Sequence, residues 1–287
     1  MTIDPKEIPV TKLVGYLQGA VTPRPIAFVS SMDKDGNVNL SPFSFFNLFS
    51  IHPPILIFSP SRRVRDNTTK HTLQNVEEVP EVTINIVGYD MVEQASLASC
   101  EFPKGVSEFL KAGFTEVPST KVKPPRVGES KASFECKVNQ IIPLGEEGGA
   151  GNLVICEILL AHIDDSVFDE DGKINPWKVD AVARMGNDYY SRAAGANIFE
   201  VPKPNVKIGI GFDHLPPSVK NSALLTGNDL GRLANIEKLP DAEAIQSFKN
   251  RNPRVIDLKD DFERHRLAQE YLRNGEIEEA WKVLLCT

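Results

Sequence analysis

Three neighbouring stretches decide the reading: Thr22-Pro-Arg-Pro-Ile-Ala-Phe-Val-Ser-Ser31, Asn39-Leu-Ser-Pro-Phe-Ser-Phe-Phe-Asn47 and Ser50-Ile-His-Pro-Pro54. Ile26 to Ser31 is a short apolar run whose residues suit a strand. The next residues, Asp33-Lys34-Asp35-Gly36-Asn37, carry the chemistry of a tight turn, so Ile26 to Met32 and Val38 to Ser41 are expected to pair as a hairpin. In Asn39 to Asn47 the hydroxyls of Ser41 and Ser44 sit among Pro42, Phe43, Phe45 and Phe46. A flat aromatic ligand with polar edges needs such a wall, apolar with a few hydrogen-bonding groups. On composition alone the same residues read first as a strand end with core phenylalanines.

Working outward, Ile55 to Ser59 and Val82 to Val87 are further short strand-like runs. Ser133 to Ile142 and Leu153 to Ile163 form a second expected hairpin, joined by the glycine-rich loop Gly145 to Gly151. Helical patterns lie between the two strand groups, at Thr69 to Glu78, Met91 to Ser99 and Ser107 to Ala112. Strands and helices mixed in this way argue for a barrel or α+β core rather than a regular βαβ series. Beyond about residue 200, past Val201-Pro202-Lys203-Pro204 and Leu215-Pro216-Pro217, helical periodicity takes over in Ala242 to Lys249, Asp257 to Arg273 and Ile277 to Leu285. The domain boundary is therefore expected near residue 204, with a main domain over 1–204 and a helical appendage over 205–287. The last helix is amphipathic through Ile277, Ala280, Trp281, Leu284 and Leu285, and is expected to pack on the barrel or on a partner subunit.

The densest basic cluster runs from Ser59 through Arg62, Arg63 and Arg65 to Lys70-His71-Thr72, just before a helix. Charge-assisted donors beside the free amides of a helix N-terminus suit a phosphate, although the cluster also reads as a solvated basic loop. Arg24 lies between two prolines that restrict its backbone, which suits a fixed ligand contact or a salt bridge to a neighbouring strand.

Taken together, these stretches resemble the flavin reductase-like, FMN-binding split-barrel family of flavoredoxin and flavoprotein oxygenase-like proteins. The same order of elements continues through Lys70-His-Thr-Leu-Gln-Asn-Val76 and Val82 to Val87 to Asn152 to Val167. It ends near Val182-Ala-Arg-Met-Gly-Asn-Asp-Tyr-Tyr190, so that it spans roughly two thirds of the chain. The resemblance implies a mainly β fold with α elements, a split β-barrel binding FMN. It implies that Asn39, Ser41, Pro42, Phe43 and Ser44 line the flavin ring and ribityl chain, with Arg24 beside them. Ser59, Arg62, Lys70 and Thr72 would hold the phosphate. Where the family often has Lys-Asp-Thr, this chain has Lys70-His71-Thr72, so His71 carries no assigned role. A His-x-Asp-Asp segment like His162-Ile163-Asp164-Asp165 closes the barrel in the family, which brings His162 near the flavin or leaves it a structural histidine.

The resemblance further implies a homodimer with FMN at the subunit interface, and an oxidoreductase in which NADH or NADPH reduces the flavin for an acceptor. The alternatives within reach are an electron-transfer flavoprotein with a redox partner protein, and a non-catalytic FMN-binding protein on the same fold. The flavin carries the chemistry, so no acid-base residue is assigned.

Other classes find little support. The chain of 287 residues is 41% hydrophobic and 25% charged, as in globular proteins, and no apolar run approaches the roughly 18 residues of a membrane span. A formal net charge of −7 opposes nucleic acid as a partner. There is no Gly-x-Ser-x-Gly elbow, no His-Glu-x-x-His, no Cys-x-x-Cys among the four cysteines and no Gly-x-Gly-x-x-Gly, so neither a serine hydrolase, a metal site nor a dinucleotide domain is expected. The acidic run from Asp164 to Asp171 lacks EF-hand spacing and reads as a solvated turn. The N-terminus has neither the basic start nor the apolar stretch of a secretory signal, so a cytoplasmic protein with reduced thiols is expected.

Overall fold

The computed structural model describes residues 1–258 and 260–286. It divides into two compact units, Met1–Phe199 and the chain from Glu200 onward.

The first unit opens with helix α1 (Val10–Ala20), strands β1 (Arg24–Pro25), β2 (Ala27–Met32), β3 (Val38–Phe43), β4 (Phe46–Ile51) and β5 (Pro54–Phe58), then helix α2 (His71–Glu78) and strand β6 (Glu81–Ile86). Helices α3 (Val92–Leu97) and α4 (Glu108–Ala112) and the short pair β7 (Glu116–Val117) and β8 (Arg126–Val127) follow. Strands β9 (Ala132–Pro143) and β10 (Asn152–Ile163), helix α5 (Pro176–Val179), and strands β11 (Val182–Gly186) and β12 (Tyr189–Arg192) complete it.

Seven strands form one antiparallel sheet in the order β3-β2-β6-β9-β10-β5-β4, while β1, β11 and β12 form a separate three-stranded sheet. This is the split barrel expected from the sequence. The β2–β3 turn is closed by Asp33, whose carboxylate accepts from the amides of Asp35 and Asn37, with Gly36 at φ +88°. The long β9–β10 hairpin shifts register at Ile155/Cys156 and again at Ile158/Leu160. Such bulges bend a strand and increase its twist, which lets a wide sheet curl.

Ala27, Val29, Phe43, Phe58, Val82, Ile84, Cys136 and Val154 face one another inside the curl. The opposite face of β2 is also covered, because Phe28 packs with Ile26, Leu40, Met91, Phe109 and Phe114 beneath α3 and α4. Residues Ala27 to Ser31 are accordingly all fully buried. A strand covered on both faces loses the in-out alternation, which is why Ile26 to Ser31 reads as a continuous run.

The second unit holds α6 (Pro217–Lys220), α7 (Gly227–Ala234), α8 (Ala242–Arg251), α9 (Asp261–Arg273) and α10 (Ile277–Leu284). Thr226 and Asp229 form a capping box that starts α7, and Asp260 caps α9 through the amide of Glu263. Helix α9 thus begins at its cap rather than at Asp257 as the periodicity suggested. Gly275, at φ +80°, turns α9 into α10. The last helix was expected to pack on the barrel or on a partner subunit. It enters the core of its own unit, where the fully buried Trp281 donates its indole N–H to the carbonyl of Leu233 at 3.0 Å. An apolar stripe does not say which surface it meets.

Candidate functional site

Two cavities of about 430 and 300 Å³ lie side by side on the first unit and share Val92, Ser96, Arg184, Asp188 and Tyr190 as walls. The smaller is bounded on its other side by Ile26, Pro42, Phe43 and Ser44. Ser99 borders both this cavity and a small niche lined by Asn39, Ser41, Arg63, Lys70, His71 and Thr72, with Cys100, Glu101 and Glu108 around it. These spaces form one trench, with an aromatic and hydroxyl wall in the middle and a basic niche at one end.

The β2–β3 hairpin and helix α2 build the wall and the niche together. Strand β3 ends in Ser41-Pro42-Phe43, and the Lys70 ammonium stands 5.6 Å from the centre of the Phe43 ring. Helix α2 starts at Lys70 with extended backbone and no side-chain cap, so its first amides take no internal acceptor of that kind. Asn39 Nδ2 donates to Thr72 Oγ1 at 2.9 Å. That bond occupies a lone pair of the hydroxyl and leaves its proton to donate elsewhere, which an anion at a helix N-terminus would accept.

Arg63 is fixed at the niche by Glu101 Oε1 at 2.8 Å, Thr68 Oγ1 at 2.8 Å and the Thr69 carbonyl at 2.7 Å. Glu101 also binds Arg65 and is held below the usual carboxylate range by these two guanidinium groups. Burial, then the nearby Arg63, lowers the Lys70 ammonium from its ordinary value. His71 is likewise lowered by burial and by Arg63, Lys104 and Lys70, which favours its neutral ring. Burial pushes the Glu108 carboxyl up, and it accepts the amide of Leu40 at 2.9 Å. The niche thus gathers Arg63, Lys70 and His71, with burial the main influence on Lys70 and His71 and with Glu101 and Glu108 opposing it at Lys70.

Of the residues singled out in the sequence, Asn39, Ser41, Lys70 and Thr72 line the niche and Pro42, Phe43 and Ser44 line the cavity beside it. Arg24 is buried behind that wall, with Nε 3.4 Å from Ser44 Oγ and Nη1 2.6 Å from the carbonyls of both Gln18 and Val21. Three others are not among the residues that line these cavities. Arg62 clasps Asn67, at 2.6 Å through Nε and 3.0 Å through Nη2, and so braces its own loop. Ser59 is buried against the glycine-rich loop, where a Cβ on Gly151 would come within 2.5 Å of its Oγ. His162 bonds through Nε2 to Glu135 Oε1 at 2.6 Å.

Sequence reasoning passed over Arg63 and the trench face made by Ser96, Ser99, Arg184, Asp188 and Tyr190. Adjacent arginines cannot be told apart until the turn is built. Arg184 to Tyr190 lay within the recognised motif, but the β11–β12 ribbon that brings them back to β1 was not foreseen. Strand β4 and helix α1 were not foreseen either.

A split barrel whose β2–β3 edge, helix start and terminal ribbon enclose such a trench is a flavin-binding protein of the oxidoreductase type. The flavin reductase like domain family matches residues 19–178. An uncharacterized protein of Aquifex aeolicus is 40% identical over 190 residues, covering 66% of this chain and 94% of that protein. Among solved structures, nitrilotriacetate monooxygenase component B from Bacillus cereus aligns with a TM-score of 0.65 at 28% identity, covering 70% of this chain and 98% of the other. A protein with a split barrel domain from Shewanella frigidimarina aligns with a TM-score of 0.60 at 26% identity, covering 71% of this chain and 99% of the other. The chain belongs to the flavin reductase like family. The family match stops before β11, and the helical unit lies wholly outside it.

Proposed function

We propose that this protein is an NADH- or NADPH-dependent flavin reductase that binds FMN along the trench and passes electrons to an acceptor. The observation that carries the reading is the junction of an aromatic, hydroxyl-bearing wall with a basic helix N-terminus, which matches the two ends of a flavin mononucleotide. Lys70, Arg63, Thr72 and the first amides of α2 would hold the phosphate, and a single niche at the trench end favours one phosphate group. Pro42, Phe43 and Ser44 would face the ring, excluding water on the apolar side and hydrogen-bonding on the polar one. Bound there, the flavin supplies hydride and electron chemistry that no side chain offers. The protein's part is to place the flavin and leave its other side open to reactants.

A homodimer belongs to the same reading. Strand β4 leaves Leu48, Phe49 and Ile51 exposed, and α1 buries none of its residues while exposing Val10 and Leu17. Exposed apolar side chains on these two elements favour a protein partner, here a second copy.

The test is the visible spectrum of the purified protein, followed by NADH and NADPH oxidation with and without added FMN. A yellow protein that oxidises at least one nucleotide is expected. Bound flavin without nucleotide turnover would move the reading to an electron-transfer or non-catalytic FMN protein, and no flavin uptake would end it.

A further inference from the structure

Arg24 and Arg184 face each other in register across the antiparallel β1–β11 pair, so both side chains rise from the same face of the sheet. Like charges directly opposite destabilise a strand pair. The repulsion registers in Arg24, whose guanidinium is lowered from its ordinary value first by burial and then by Arg184. Among the described residues no carboxylate stands at ion-pair distance from either arginine, although Asp188 shares the trench wall with Arg184. The neighbouring arginine is treated differently. Arg192 on β12 holds Asp180 with two bonds of 2.7 Å and stacks 3.7 Å from the Tyr89 ring.

Arg184 is nevertheless held in place. Its guanidinium lies 4.6 Å from the centre of the Tyr190 ring, and Nη2 donates to the carbonyl of Asn187. A guanidinium carries five N–H donors, and this bond uses one of them. It forms part of the wall common to both large cavities. A preorganised, unneutralised cation with spare donors at the junction of two cavities is what recognition of a planar anion requires.

We propose that Arg184, reinforced by the fixed charge of Arg24, is an anion subsite that seats the carboxylate or phosphate of a second substrate with a planar ring. The proposal rests on the flavin reading of the trench. Tyr190 provides the aromatic surface and Arg184 the charge, so the subsite selects reactants that are both flat and anionic. That chemistry could come from the hydride donor, through its phosphates, or from an acceptor bearing a carboxylate.

The test uses FMN-loaded full-length protein, titrated with benzoate and with its neutral analogue benzamide and followed by the flavin difference spectrum. Wild type should bind benzoate at least tenfold more tightly than benzamide. Arg184→Gln should remove that preference and Arg184→Lys should restore part of it. Steady-state reduction by NADH and by the uncharged N-benzyl-dihydronicotinamide separates the sources. A KM for NADH raised tenfold in R184Q, with the benzyl compound unaffected, assigns the anion to the donor. A change confined to benzoate assigns it to the acceptor. Equal affinity of wild type for benzoate and benzamide overturns the proposal without any variant, and so does an R184Q protein whose only change is the flavin potential. A protein that takes up no FMN fails the flavin reading instead, before this comparison begins.

Discussion

At the scale of single residues, two adjacent arginines do different work because the turn points them apart. Arg63 borders the niche with Lys70, whereas Arg62 is spent on Asn67. Lys70→Ala and Arg63→Ala should therefore each weaken FMN about 10- to 100-fold, the loss of one charge-assisted bond of about 1.5–3 kcal/mol. Riboflavin, which lacks the phosphate, should bind almost unchanged, and Arg62→Ala should cost FMN less than either. Fluorescence titration with both flavins checks this. An equal loss of FMN and riboflavin would remove the phosphate from the niche.

Glu135 poses a different question. Its fully buried carboxylate accepts the amides of Thr120 and Lys121 and bonds His162. Burial alone would raise it, but those bonds outweigh burial and leave it below its ordinary 4.5. A depressed carboxylate stabilises the fold above its unfolded value and loses that contribution as pH falls through the folded one. Glu135→Gln should thus cost on the order of 3 kcal/mol at neutral pH, and the gap to wild type should narrow as pH drops below about 4.5. Thermal melts across that range decide it, and a gap constant with pH would contradict the ionised form.

At the scale of elements, the glycine-rich loop between β9 and β10 acts as a seat for the basic loop. A Cβ on Gly148 would lie 3.0 Å from the Arg63 carbonyl and 3.1 Å from the Val64 Cα, both backbone atoms that cannot rotate away. Gly148→Ala should cost about 1–3 kcal/mol through overpacking, and should weaken FMN more than riboflavin by displacing Arg63. The melting temperature and the two flavin affinities report both effects.

This coupling also marks what could be read from the sequence. The β2–β3 and β9–β10 hairpins were legible because turn chemistry and strand runs are local. Lys70 and Thr72, expected together at a phosphate from one short motif, do line the niche together, and Asn39, expected beside the ring and ribityl chain, lines it with them. That Arg63 borders the niche while Arg62 turns to Asn67, and that Arg184 stands opposite Arg24, was not legible, because a side chain's direction in a turn and a pairing across some 160 residues depend on packing that no local pattern records. Strand β4 escaped notice for a related reason: Leu48, Phe49 and Ile51 are exposed in the single chain, so the strand lacks the in-out pattern of a buried one.

At the scale of the whole molecule, the two units have separate cores. Leu215, Leu233, Phe248, Leu272 and Trp281 belong to one cluster, and Phe28, Leu40, Phe58, Ile84 and Phe109 belong to the clusters of the barrel. Among the described residues none belongs to both, so the two cores are expected to melt separately. Trp281→Ala removes a fully buried indole and orphans the Leu233 carbonyl, which should cost about 3–5 kcal/mol. Calorimetry of the full chain should then show the helical unit melting earlier while the transition that releases flavin fluorescence stays in place. A single transition that moves as a whole in W281A would mean that the helical unit is part of the barrel's cooperative fold, and the appendage would have to be reckoned among the supports of the flavin trench.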